Sequence, residues 1–224
     1  MLGASGLSAL GIAALLGGCA TSSNAELPDV AWPNGPLTRK PTRPMPDAGA
    51  GLPGGVIPRS RWTRAQPVPT LMDRAQPYYR ITVHHDGMDA FASTDEEAAA
   101  RRLERIRVAH RSRNFGDIGY HYLIDPAGRI WQGRPLEWQG AHVKATNQGN
   151  LGICMLGNYM IQRPSDTQVA ALDRFVATQM QRYRVPVSKV YTHRELGPTV
   201  CPGDNLQAYM ARTRRAGALS HAYA

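Results

Sequence analysis

From Ile57 to about Met210 the chain alternates short runs of β-branched and aromatic residues with capped amphipathic stretches, and this alternation restricts the fold most strongly. Tyr79-Arg80-Ile81-Thr82-Val83-His84 reads as a strand. Ser93 or Thr94, with Glu96 or Glu97 three residues on, reads as a capping box. The helix it opens is expected to run to about Arg111, with Ala99, Leu103, Ile106 and His110 on one face. Tyr120–Ile124 and Arg129–Gln132 read as strands joined by the turn Asp125-Pro126-Ala127-Gly128. Leu151–Leu156 is an apolar, buried type of strand. Ser165 with Gln168 caps a second helix to about Tyr183, whose inner face is Val169, Leu172, Val176, Met180 and Tyr183. Lys189–Thr192 is a further strand, and Asp204 is expected to cap a last helix bearing Leu206, Tyr209 and Met210. Strands interleaved with helices, plus one hairpin, predict an α/β domain with a central mixed β-sheet flanked by helices.

At 224 residues the chain has room for one such domain and its appendages. Residues 1–57 carry Arg39, Lys40 and Arg43 against Glu26, Asp29 and Asp47, so the whole formal charge of +9 lies in residues 58–224. A basic domain favours an anionic partner such as nucleic acid, a membrane surface or an acidic wall polymer. There is no nucleic-acid motif, zinc-finger spacing or base-stacking aromatic cluster, so nucleic acid is not expected as a partner. No apolar run after the first twenty residues is long enough for a transmembrane helix. Three cysteines are too few for a disulfide scaffold.

Residues 1–18 are small and apolar and read as a secretory signal ending before Cys19. Leu16-Gly17-Gly18-Cys19 resembles a bacterial lipobox, which implies a lipidated Cys19 as the mature N-terminus. The departure is a missing positive segment, since no Lys or Arg precedes Arg39. Residues 19–56 are then expected to form a tether: residues 20–57 hold seven Pro and five Gly, with few large apolar residues to offset ordering entropy. The expected domain spans 57–215, with a flexible tail at 216–224.

Seven histidines and three cysteines are the candidates for chemistry. Cys154 lies inside an apolar strand and reads as a small hydrophobe. Cys201 lies in a Pro/Gly-flanked loop eight residues after His193; His84 and His193 each end a strand. Two imidazoles and a thiolate would make a three-ligand set for Zn²⁺, with a fourth position open. From spacing alone the reading stays open, because a histidine at a strand end also serves as a packed or surface residue. His85 and His121 follow His84 and Tyr120 directly, so strand alternation turns them to the opposite face. His110 falls on the apolar helix face, and His221 in the tail. Trp62, Trp131 and Trp138 suit either a core or a sugar-stacking surface.

The ordered blocks Ile57-Pro58-Arg59-Ser60-Arg61-Trp62, Ile81-Thr82-Val83-His84-His85, His110, Asp117–Ile124, Gly133-Arg134, Gly140-Ala141-His142, Asn147, Asn150–Ile153, Thr192–Glu195 and Cys201-Pro202-Gly203-Asp204 span about 150 residues. In this order they resemble the family of peptidoglycan recognition proteins and type 2 N-acetylmuramoyl-L-alanine amidases, which includes phage amidase endolysins. The resemblance implies a single domain of that fold, with His84, His193 and Cys201 as zinc ligands. It implies Tyr120 as the catalytic tyrosine and Thr199 as its companion, both placed to help an oxyanion. It also implies that His142, with Asn147, lines the substrate groove. Members without the cysteine recognise peptidoglycan without cleaving it; this chain has Cys201, which favours an enzyme.

The expected reaction is zinc-dependent hydrolysis of the amide between N-acetylmuramic acid and L-alanine of peptidoglycan. The expected setting is the cell envelope: a monomer, lipid-anchored at the outer membrane and facing the periplasm. One alternative is an anhydromuramyl-peptide amidase of wall recycling, although those relatives use aspartate as third ligand. The other is a non-catalytic peptidoglycan-binding lipoprotein.

Overall fold

A computed structural model of the chain describes residues 55–220 and Ala222. The signal segment, Cys19, nearly all of the tether and His221 lie outside the described residues. Among the described residues six strands form one mixed sheet: β1 (Val56–Ile57), β2 (Arg80–His85), β3 (Tyr122–Ile124), β4 (Ile130–Gln132), β5 (Asn150–Met155) and β6 (Val190–Thr192). The order is β1-β4-β3-β5-β2-β6. Only the β3–β4 hairpin is antiparallel; β1–β4, β3–β5, β2–β5 and β2–β6 are parallel. The helices are α1 (Glu96–Ser112), α2 (Asp166–Tyr183) and α3 (Asp204–Ala216).

The sheet separates two cores. On one face Ile81, Val83, Tyr122, Ile124, Leu151, Ile153 and Met155 pack with Leu172, Phe175, Val176 and Met180 of α2 and with Leu206 and Met210 of α3. On the other, Leu123, Trp131 and Cys154 pack with Ala99, Leu103 and Ile106 of α1. Helices thus cover both faces, as a sheet with buried parallel strands requires. Side-chain alternation sends Ile81 and Val83 to the first core, leaving Thr82 and His84 for the α1 side. In the β2–β5 register His84 sits beside Cys154, whose burial agrees with its reading as a small hydrophobe.

Several local expectations are corrected. Asp95, rather than Ser93 or Thr94, caps α1, its carboxylate accepting from Ala98 N at 2.7 Å. Asp204 is the first residue of α3, and the cap is Gly203 with no side-chain bond. Ser165 does cap α2, accepting from Gln168 N. On α2, Val169 and Tyr183 are only half-buried, while Ala171 and Phe175 complete the packed stripe. Tyr120 and His121 precede β3, and His193 opens a 3₁₀ turn just after β6. The packed domain also passes its expected limit: α3 runs to Ala216, and Leu219 is fully buried in the core. Trp62 and Trp131 are core residues, their indole N–H groups donating to Gln132 O and Asp125 Oδ2. Trp138 is half-buried with the Arg74 guanidinium over its ring.

Candidate metal centre

His84 comes from the carboxyl end of β2, near where ligands gather in open α/β sheets. His193 comes from the 3₁₀ turn His193–Glu195. That turn is held by a reciprocal box between Thr192 and Glu195, with Thr192 N donating to Glu195 Oε2 at 2.8 Å. Glu195 is braced in turn by two hydrogen bonds from Arg214 of α3. Cys201 comes from the loop before α3. Arg194 ties that loop down by donating to Val200 O and Asp204 Oδ1, both at 2.7 Å.

These three stretches bring one ligand atom each from His84, His193 and Cys201 to within 4.8 Å of one another, and all three residues are buried. His84 Nδ1 lies 3.6 Å from Cys201 Sγ. Tetrahedral zinc with bonds of about 2.0–2.3 Å spaces its donors by about 3.3–3.7 Å, so this edge already has the required length. His193 Nδ1 is buried with no hydrogen-bond partner among the described residues. An orphaned ring nitrogen beside a buried thiol and a second imidazole is a donor set that suits Zn²⁺.

The electrostatics agree. Burial, reinforced by His193 and His142, pushes the His84 pKa well below its usual range. Burial brings His193 to about 4 and raises the Cys201 thiol to about 12. All three groups are therefore neutral at pH 7. The imidazoles are ready to donate a lone pair, and a cation would displace the thiol proton.

Tyr120 is buried against the cluster, its ring 5.1 Å from that of His84. Burial raises its phenol well above 10, so the hydroxyl keeps its proton. Thr199 is half-buried on the Cys201 loop, its Oγ1 accepting from Cys201 N at 3.2 Å. His142 and Asn147, expected along the substrate groove, are both buried with internal partners. His142 Nδ1 meets His84 Nε2 at 3.0 Å, and Asn147 Oδ1 accepts from the amides of His142 and Val143. His85 faces away, accepting from Tyr159 N, and His121 sits among Tyr78, Trp138 and Gly152. His110 accepts from Gly119 N on the α1 side.

Two participants escaped the sequence reading. Asp86, directly after His85, forms a buried bidentate ion pair with Arg102 at 2.6 and 2.7 Å. An arginine beside Leu103 on the apolar face of α1 was the available signal. Gly152 sits inside β5, where an added Cβ would lie 2.5 Å from the His142 ring. A glycine within an apolar strand marks such a close approach.

A family model described as N-acetylmuramoyl-L-alanine amidase matches residues 74–204, more than half of the chain. The chain belongs to this family. It is 30% identical over 154 residues to a peptidoglycan-recognition protein of Drosophila melanogaster, covering 68% of this chain and 84% of that one. It is 29% identical over 170 residues to a human N-acetylmuramoyl-L-alanine amidase, covering 74% of this chain but 29% of that longer protein. Among solved structures, Drosophila PGRP-LB superposes with a TM-score of 0.64 at 25% identity, covering 72% of this chain and 94% of that one. The family thus holds proteins named for recognition beside proteins named for hydrolysis.

Proposed function

We propose that this chain is a zinc-dependent amidase that cuts the bond between the lactyl group of N-acetylmuramic acid and L-alanine in peptidoglycan. The observation that carries the reading is the convergence of His84, His193 and Cys201. Bound zinc at a three-ligand site supplies water activation near neutral pH and polarisation of the scissile carbonyl. The chain's own residues then divide the remaining work. Tyr120, protonated at pH 7 and beside His84, donates to the oxygen on which charge develops. Thr199 uses its acceptor on Cys201 N and keeps its hydroxyl hydrogen for substrate. Across the net reaction, hydroxyl adds to the lactyl carbonyl carbon and hydrogen to the alanine nitrogen as the C–N bond breaks. The basic domain attracts the carboxylates of the stem peptide. On the same reading, residues 1–18 export the protein and Cys19 anchors it by lipid at the outer membrane, facing the periplasm.

The test is mass spectrometry of products from purified sacculi. Stem peptides with a free L-alanine amine are expected, and they vanish with a chelator and in Cys201→Ala while circular dichroism keeps the folded spectrum. Release that survives both treatments overturns the proposal. Firm sacculus binding without any release supports the rival reading, a recognition protein like the insect relatives.

A further inference from the structure

A chain of hydrogen bonds behind His84 has consequences for the metal-facing nitrogen. The Asn150 carbonyl can only accept, so His142 Nε2, 3.1 Å from it, must carry a hydrogen. His142 is fully enclosed and touches a carbonyl and another imidazole, surroundings that favour the neutral ring. A neutral ring with hydrogen on Nε2 has a bare Nδ1. That atom faces His84 Nε2 at 3.0 Å, so His84 Nε2 must donate. His84 Nδ1 is then left bare, and it is the atom facing Cys201 Sγ.

The relay is held at every joint. Asn147 Oδ1 grips the His142 and Val143 amides, both at 2.8 Å. The Ala141 amide donates to Gly119 O at 2.9 Å. The Asn150 side chain is clamped between Thr82 Oγ1 and Thr146 O. The His142 ring itself lies between Gly140 and Gly152, either of which would press on it if it bore a Cβ. A ring in this slot has little freedom to flip.

We infer that His142 is a positioning residue: through one hydrogen bond it holds His84 in the tautomer whose Nδ1 lone pair is directed at the metal site. The inference rests on the metal-site reading above and gives His142 and Asn147 a role beneath the site. It needs the acceptor on His142, not merely its bulk.

The experiment has two arms. In metal-free wild-type protein labelled with ¹⁵N-histidine, His84 should show protonated Nε2 and bare Nδ1; a protonated Nδ1 overturns the relay. In the second arm zinc affinity is measured by competition with a chromophoric chelator. His142→Asn keeps an acceptor at the Nδ1 position, whereas His142→Gln keeps the donor toward Asn150 O but loses that acceptor. His142→Gln should bind zinc about 10–100-fold more weakly than wild type, and His142→Asn should retain most of the affinity. Equal losses in both variants, or none in either, overturn the inference. If wild-type protein binds no zinc, the metal-site reading fails, while the ring-nitrogen spectrum still decides the relay.

Discussion

Lowering the pH should unfold the metal-free domain unusually early. His84, His85, His110, His121, His142 and His193 are each at most 4% exposed. Burial is the leading cause that lowers all six pKa values. His85 and His193 fall to about 4, and His110 and His121 to about 3. In the unfolded chain each titrates near 6.5. Because the folded values lie below the unfolded ones, stability is full above about pH 6.5 and is lost as pH falls toward the folded values. Each proton taken up on unfolding is worth about 1.36 kcal/mol per pH unit. The four histidines with assigned values therefore remove about 5 kcal/mol between roughly pH 5.5 and 4.5, and His84 and His142 act in the same direction. Asp86 and Asp117 are raised by burial, so they protonate first in the folded state and offset part of the loss at the low end. Against a total stability of roughly 5–15 kcal/mol, the fold should fail within about two units below pH 6.5. Far-UV circular dichroism across a pH series of chelator-treated protein reads the midpoint, and urea midpoints against pH give the proton uptake. A midpoint below about pH 4, with fewer than about two protons taken up, would refute the reasoning.

Two further outcomes test the site from different sides. Tyr120→Phe should lower kcat on sacculi by about 10²–10³ while bound zinc and thermal stability stay unchanged, since only a hydroxyl donor is lost. Asp86→Ala should cost about 3–5 kcal/mol in urea unfolding, because Arg102 stays buried without its partner. Asp86→Ala with Arg102→Met should recover most of that loss; a double variant no more stable than the single one would count against the buried ion pair.

Periodic features of the fold were legible in the sequence. The period-2 pattern of Arg80–His85 separates His84 from His85, and the structure places them on opposite faces with different partners. The spacing Ala99, Leu103, Ile106 and His110 marks the buried side of α1. Features set by single contacts were less legible. Ser93, Thr94 and Asp95 all have capping chemistry, and which one caps depends on where the preceding loop delivers the chain. The packing of Leu219 beyond the expected limit at residue 215 was not legible, because Leu219 stands alone among small residues, without a repeat to announce its burial.

His142 shows why a site's second layer is harder to read than its first. The three candidate ligands are conspicuous by chemistry, because thiol and imidazole are scarce side chains with a recognised appetite for metal. His142 shares that chemistry, yet its position is decided by what its neighbours lack. Gly140 and Gly152 clear the slot, and only the parallel register that sets Thr82 beside Gly152 brings the slot next to His84. Such a role depends on the empty face of a glycine in β5 and on the carbonyl of Asn150. Neither is visible until the strands are paired, because a carbonyl is common to every residue and a glycine has many uses. The same reasoning separates two buried histidines, His121 and His142. His121 Nδ1 accepts from Gly152 N and so is bare, with its hydrogen on Nε2 toward Tyr78 and Trp138. His142 uses its Nε2 hydrogen on Asn150 O and turns its bare nitrogen toward His84. Gly152 thus serves both rings, offering an amide to one and a vacant face to the other. An alanine there would disturb the relay and the His121 contact together.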